Sequence, residues 1–251
     1  MDIHAHHLHK APGYNFWHYF VEFLMLFLAV FCGFLAEYKL EHTIEKDREK
    51  EFIFAAIKEM ESDLYWINLF EQDSVRYKYL DTLSMLLLSD QRSQEDIKKM
   101  YRLFQSVDVG GGVLFKNTTL TQLKNAGNLR LVKKRQVTDN LIGLDASMTF
   151  NTNTFQQLKK MSFENKRLCT EIFDFKYFLK DQKWIGAYNP EFAKGVKIQL
   201  LSTDVKKQHE LGALLKIQSN LYAFYYYAIV KHKKFTINLI QFFKNEYHLK
   251  E

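Results

Sequence analysis

The apolar and polar positions of this chain follow helical periods rather than the alternation of strands. Ile53, Ile57, Met60, Leu64 and Ile67 recur at spacings of 4 and 3, as do Val137, Leu141, Leu144 and Met148. After a register shift the pattern resumes at Leu168, Ile172, Phe175 and Leu179. Leu214, Leu221, Phe224, Ala228, Phe235, Leu239 and Phe242 keep one phase near the C-terminal end. Such spacing places an apolar stripe on each helix, to be buried along its length as in a coiled coil.

Residues Phe16 to Tyr38 are different, because they are apolar on nearly every side. Phe23–Ala36 is a run of 14 residues without a polar side chain. With its aromatic flanks the segment has 23 residues, about 34 Å of helix against a hydrocarbon core of ~30 Å. Tyr14, Trp17, Tyr19 and Tyr38 stand at its ends, where amphipathic rings favour the headgroup region. A single Lys precedes the run and no A-x-A site follows it, so it reads as an uncleaved signal anchor rather than a cleaved leader.

Punctuation between the periodic segments is sparse. Ser93 with Asp96 opens a short helix that ends before Asp108 and the Gly110-Gly111-Gly112 loop. Thr119 with Gln122 forms a capping box, and Gly127 occupies the position of a left-handed residue after a helix. Asn189-Pro190 supplies an N-cap followed by Pro at the first helical position. The expected order is one long helix to about Leu88, two short ones, a long one over about 134–183, a short one, and a long one over about 203–248. The link 37–51 has alternating charges and no breaker, so the apolar helix is expected to run into the first bundle helix. The fold class is therefore all-α, an N-terminal transmembrane helix continuing into an elongated antiparallel helical bundle. Its parts are a tail (1–15), a membrane helix (16–38) and an extramembrane bundle (39–251).

Composition agrees with few breaks: 2 Pro and 10 Gly in 251 residues, with 47% hydrophobic and 25% charged residues. Disorder, collagen and a many-stranded sandwich are excluded on that basis. Cys32 and Cys169 form no CxxC pair, which excludes a disulfide framework and a cysteine zinc site. The net charge of +6 hides an asymmetry. Residues 1–51 carry five Lys/Arg and eight Asp/Glu, a net −3, which leaves +9 for residues 52–251. Those positives are scattered over helix faces, and nucleic acid is not an expected partner.

Within the apolar helix, His18, Glu22, Met25, Ala29, Gly33 and Ala36 share one face. Ala29 and Gly33 form a small-x-x-x-small pair, reinforced by Cys32 and Ala36. Small residues let membrane helices approach closely, so this face reads as a helix–helix interface, with membrane lipid around the rest and a second copy of the chain as its partner. Glu22 is an ionisable group in an apolar span, a position that raises the question of assembly or ion passage. Lys10 stands before the helix, and Lys39, Lys46, Arg48 and Lys50 follow it, a count that leans toward a cytoplasmic C-terminal part.

The stretch FWHYFVEFLMLFLAVFCGFLAEYKLEHTIEKDREKEF, behind a His-rich tail, resembles a group of uncharacterised single-pass membrane proteins found mainly in Bacteroidota. LTQLKNAGNLRLVKK (Leu120–Lys134) is similar to a second stretch recurring in those and related domain-of-unknown-function proteins. Together they span about a fifth of the chain. The resemblance implies an inner-membrane anchor followed by a helical domain. More basic tails among the relatives imply a cytoplasmic N-terminus and a periplasmic bundle. It implies no activity and no catalytic residues.

Candidate chemistry is limited. His4, His6, His7 and His9 cluster in the tail and supply imidazoles suited to weak binding of a divalent transition metal. No other cofactor is expected. Gly110–Gly112 with Lys116 and Thr118 lacks the spacing of a phosphate loop and reads as a hinge. His209, His232 and His248 read as isolated on helix faces, and Tyr222–Tyr227 as core and interface. The sequence points to a non-enzymatic, self-assembling scaffold, sensor or docking module, with another membrane or periplasmic protein as a second kind of partner. The alternative is a homo-oligomeric ion or proton channel lined by Glu22 and His18.

Overall fold

The computed structural model describes residues 16–72, 75–125, 127–178 and 195–249. Among them the regular structure is entirely helical: α1 (Phe16–Gln72), α2 (Arg76–Leu88), α3 (Gln94–Leu103), α4 (Thr118–Asn125), α5 (Arg135–Ile172) and α6 (Val205–Glu246). Short 3₁₀ turns lie at Phe104–Val107, Asn128–Leu131 and Phe175–Phe178. The chain divides into two compact units, Met1–Glu51 and Phe52–Glu251.

In the first unit every described residue from Phe16 to Ile44 is exposed. The most apolar 18-residue window of this helix has a mean hydropathy of 2.2, and none of it is buried. It is long and apolar enough to cross a membrane.

In the second unit α6 is the central element. Glu61 pairs with Lys244 and Glu71 with Lys233, so α1 runs antiparallel to α6. Asp81 pairs with Lys216 and Ser84 bonds the Gly212 carbonyl, so α2 runs antiparallel to it as well. Ser147 meets His232 and Asn165 meets Gln218, which gives α5 the same sense. The single long helix expected to reach Leu88 is accounted for by α1 and α2, both antiparallel to α6.

Two apolar clusters fill the bundle. One gathers Ile53, Ile57 and Met60 of α1 with Leu120, Leu123, Val137, Leu141, Leu144 and Phe243. The other gathers Ile67, Leu80, Leu83, Leu87, Met100 and Tyr101 with Leu158, Ile172, Tyr222, Tyr225 and Ile229. The α1 stripe and the first α5 stripe therefore lie where the periodicity places them.

Four expectations need correction. The α6 stripe is out of phase: Phe224 is 53% exposed, and Leu214, Leu221, Ala228, Phe235 and Phe242 are only half-buried. The buried stripe is Leu211, Leu215, Gln218, Tyr222, Tyr225, Ile229, His232, Thr236, Leu239 and Phe243, so of the expected row Leu239 is buried as expected. It has the same 3-and-4 spacing but contains three polar residues, so an apolar count selects its neighbour. The second α5 stripe stops early, since the helix ends at Ile172 and Phe175 lies exposed in a 3₁₀ turn. There the Leu201 N–H donates to the Ile172 carbonyl, and the Asp174 N–H donates to Tyr101 Oη. Leu179 and Asn189-Pro190 lie outside the described residues. Thr119 is not an N-cap but sits inside α4, its N–H donating to both carboxylate oxygens of Glu59 on α1. His232 is buried and hydrogen-bonded rather than isolated, whereas His209 Nε2 has no hydrogen-bond partner among the described residues, with Asp90 Oδ1 3.7 Å away.

Other punctuation agrees with the structure. Ser93 and Asp96 form a reciprocal capping box at α3, Gly127 has φ +64° after α4, and Gly110–Gly112 lies in a loop.

Candidate functional site: a buried polar layer beside a surface cleft

The residues proposed from sequence to mediate assembly all lie on the exposed part of α1. His18, Glu22, Met25, Ala29, Cys32, Gly33 and Ala36 are exposed, and a Cβ on Gly33 would meet nothing within 4 Å. Among the described residues that face is exposed along its length. Phe23, Phe27 and Phe31 stack along another row with centroids 6.3 and 5.9 Å apart. His4, His6, His7 and His9 lie outside the described residues. Among the described residues no group of three or more His, Cys, Asp or Glu is arranged to hold a metal.

The bundle contains a feature the periodicity does not indicate. Between the two apolar clusters, α1, α5 and α6 each carry a buried polar group in place of an apolar one. These are Asp63 on α1, Asn151 on α5, and His232 with Thr236 on α6. Ser147 Oγ lies 2.7 Å from His232 Nδ1, and Thr236 Oγ1 lies 3.3 Å from Nε2. Both ring nitrogens thus have a partner, and the ring of Phe115 meets the imidazole edge to face, with centroids 4.8 Å apart. Burial pushes the His232 pKa down to about 4, so the ring is neutral at pH 7. Asn151 Nδ2 donates to the Ser147 carbonyl, while its Oδ1 is buried with no hydrogen-bond partner among the described residues.

Asp63 is 2% exposed. Its Oδ1 accepts from the Lys116 N–H at 3.0 Å. Burial raises its pKa to about 7, opposed by the Lys116 hydrogen bond and assisted by the negative charge of Glu59. Glu59 and Asp63, one turn apart on α1, together hold the backbone at Lys116 and Thr119. Val113 N–H donates to Tyr225 Oη at 3.2 Å, and burial raises that phenol to about 12.

These ties fix the segment 113–117 as one wall of a surface cleft of about 340 Å³. The other wall is a face of α5 that includes Thr149, Thr152, Asn153 and Gln156. Gly112 is required for this close approach, because a Cβ there would sit 2.6 Å from the Phe155 ring.

The Ser147–His232 distance matches that of a nucleophile and its base. The imidazole is only 3% exposed, and neither side chain lines the cleft. The pair satisfies a core histidine rather than presenting a nucleophile. Sequence reasoning missed this layer because its members are single polar residues within otherwise apolar stripes.

No protein-family model, curated protein or solved structure matches the chain.

Proposed function

We propose that this protein is a non-enzymatic, single-pass inner-membrane protein whose helical bundle serves as a scaffold, sensor or docking module. The observation that carries this reading is the uncovered apolar part of α1, with mean hydropathy 2.2 and no buried residue in that window. So much exposed apolar surface calls for lipid or a partner helix. Lipid meets most of it, and the face containing Ala29, Gly33 and Ala36 pairs with the same face of a second copy. The bundle is placed in the periplasm, in keeping with the resemblance described for the anchor segment. Gly33→Leu tests the assembly: the oligomer in detergent becomes smaller, and an unchanged size contradicts pairing through this face. A topology reporter fused at Glu251 tests the orientation, since cytoplasmic activity would reverse it.

A second reading is favoured by one residue, Glu22, a carboxylate within the apolar segment. In an oligomer it and His18 would line a path for ions or protons. Proton flux into liposomes that disappears in Glu22→Gln supports the channel. Intact oligomers without flux exclude it.

A further inference from the structure

One face of α5 carries an unusual run of side chains. Thr149, Thr152, Asn153 and Gln156 follow each other at spacings of 3, 1 and 3, all exposed and all lining the cleft. Asn117 reaches the same cleft from the facing loop. None of these five side chains forms a hydrogen bond with another described residue. Each can both donate and accept. They converge on a space of about 340 Å³, at the lower end of the range for small-ligand sites.

The floor and far wall are apolar. Phe115 and Leu114 stand on the loop, and Met148 and Phe155 on α5. Leu114 is 79% exposed. The loop is held in place before any ligand arrives, by Tyr225 and Asp63 on its backbone, by Glu59 on the Thr119 N–H just after it in α4, and by Gly112 against Phe155. Preorganised walls reduce the entropy lost on binding. The charged groups stand at the ends: Asp145 is occupied by Lys124 at 2.8 Å, and Lys159 lies fourteen residues further along the helix.

We infer that this cleft binds a short saccharide of about two rings. Sugar hydroxyls donate and accept at once, which matches amide and hydroxyl side chains better than it matches ions. The C–H faces of sugar rings suit the apolar surface of Phe115 and Leu114. Of the two charged lining residues, Asp145 is paired with Lys124 and Lys159 stands at one end, so the stretch between them offers a ligand hydroxyls and amides rather than charge.

The test uses the full chain in a non-glycosidic detergent, with maltose and diacetylchitobiose as probes and saturation-transfer NMR as the readout. At least one disaccharide binds the wild type with a millimolar Kd, and its ring protons receive saturation. Asn153→Ala with Gln156→Ala weakens binding by about tenfold or more, while Glu164→Gln, on α5 outside the cleft, leaves it unchanged. Both variants are exposed substitutions, and unchanged thermal melting verifies their fold. Failure of both disaccharides to bind overturns the inference, as does equal binding by the double variant. Binding of a Gly-Ser repeat peptide in place of either sugar overturns it in favour of a main-chain ligand.

Discussion

Ser147 and His232 meet across the α5–α6 interface, with Oγ 2.7 Å from Nδ1 in a layer that separates two apolar clusters. Their contact explains how a histidine is tolerated in the buried stripe of α6. A buried imidazole with both nitrogens partnered costs far less than one left unpaired.

Asp63 and His232 give opposite pH dependences. The Asp63 carboxyl rises from 3.8 to about 7 on folding, so the stability it contributes is present below pH 3.8 and is lost as pH climbs through 7. The His232 imidazole falls from 6.5 to about 4, so its contribution is present above pH 6.5 and is lost as pH falls toward 4. Between pH 4 and 7 the two slopes oppose each other in the wild type. Asp63→Asn leaves the histidine slope, and stability rises with pH by about 3 kcal/mol across that window. His232→Gln leaves the aspartate slope, and stability falls by a similar amount, about 4 kcal/mol. Urea midpoints at several pH values measure this; parallel profiles in the two variants would contradict it.

Gln218 and Asn165 form a network that is sensitive to half-removal. Asn165 Nδ2 donates to Gln218 Oε1 at 2.7 Å, and Gln218 Nε2 donates to the Val107 carbonyl at 2.9 Å. Asn165→Leu strands the Gln218 oxygen in a buried site and costs about 1–3 kcal/mol. The double change Asn165→Leu with Gln218→Leu costs less than the sum of the two single changes, because the stranded group is gone. A double-mutant cycle in denaturant reads the difference; strict additivity would argue against a shared network.

Two helical glycines respond oppositely to alanine. At Gly212 a Cβ would lie 2.9 Å from Leu88 Cγ and 3.1 Å from Leu87 Cβ, where α2 and α6 approach. Gly212→Ala overpacks this contact and destabilises by about 1–3 kcal/mol. At Gly143 the nearest atom is Phe235 Cζ at 3.7 Å. Gly143→Ala gains helix propensity and stabilises by about 0.5–1 kcal/mol. Thermal melts distinguish them by the sign of the shift.

Glu59 acts at the start of α4. Its carboxylate accepts from the Thr119 N–H at 3.1 and 3.2 Å and places negative charge at a helix N-terminus. Glu59→Ala costs about 1 kcal/mol and lowers hydrogen-exchange protection at Leu120–Leu123. Thr119→Ser, which keeps the N–H, preserves that protection. Equal loss in both variants would assign the cap to the threonine side chain instead.

The legibility of this fold in its sequence varies from element to element. Ser93 with Asp96 and Gly127 are local devices, each set by a few neighbouring residues, and they stand in the structure as they read. The α1 stripe from Ile53 to Ile67 is legible because its core positions are apolar apart from Asp63. On α6 the buried positions include Gln218, His232 and Thr236, so the adjacent row ending at Phe242 looks more hydrophobic than the true core row. Thr119 fits a capping box by spacing, yet a carboxylate sixty residues earlier takes its N–H. The cleft is the least legible feature. Its polar wall on α5 reads as an ordinary solvated face until the loop at Val113–Asn117 is placed opposite it.

The sequence by itself determined the all-helical class, the apolar segment at Phe16–Tyr38, the Ser93–Asp96 cap and the turn at Gly127, because these depend on propensity and on spacing within a few turns. Only the tertiary structure decided the phase of α6, the end of α5 at Ile172, the role of Glu59 and the burial of His232 and Asp63. A polar side chain can occupy a core position when a distant element satisfies it, as Ser147 does for His232 and the Lys116 amide does for Asp63. Periodicity records which residues are apolar, while burial of polar groups depends on which partners the fold brings within hydrogen-bonding distance.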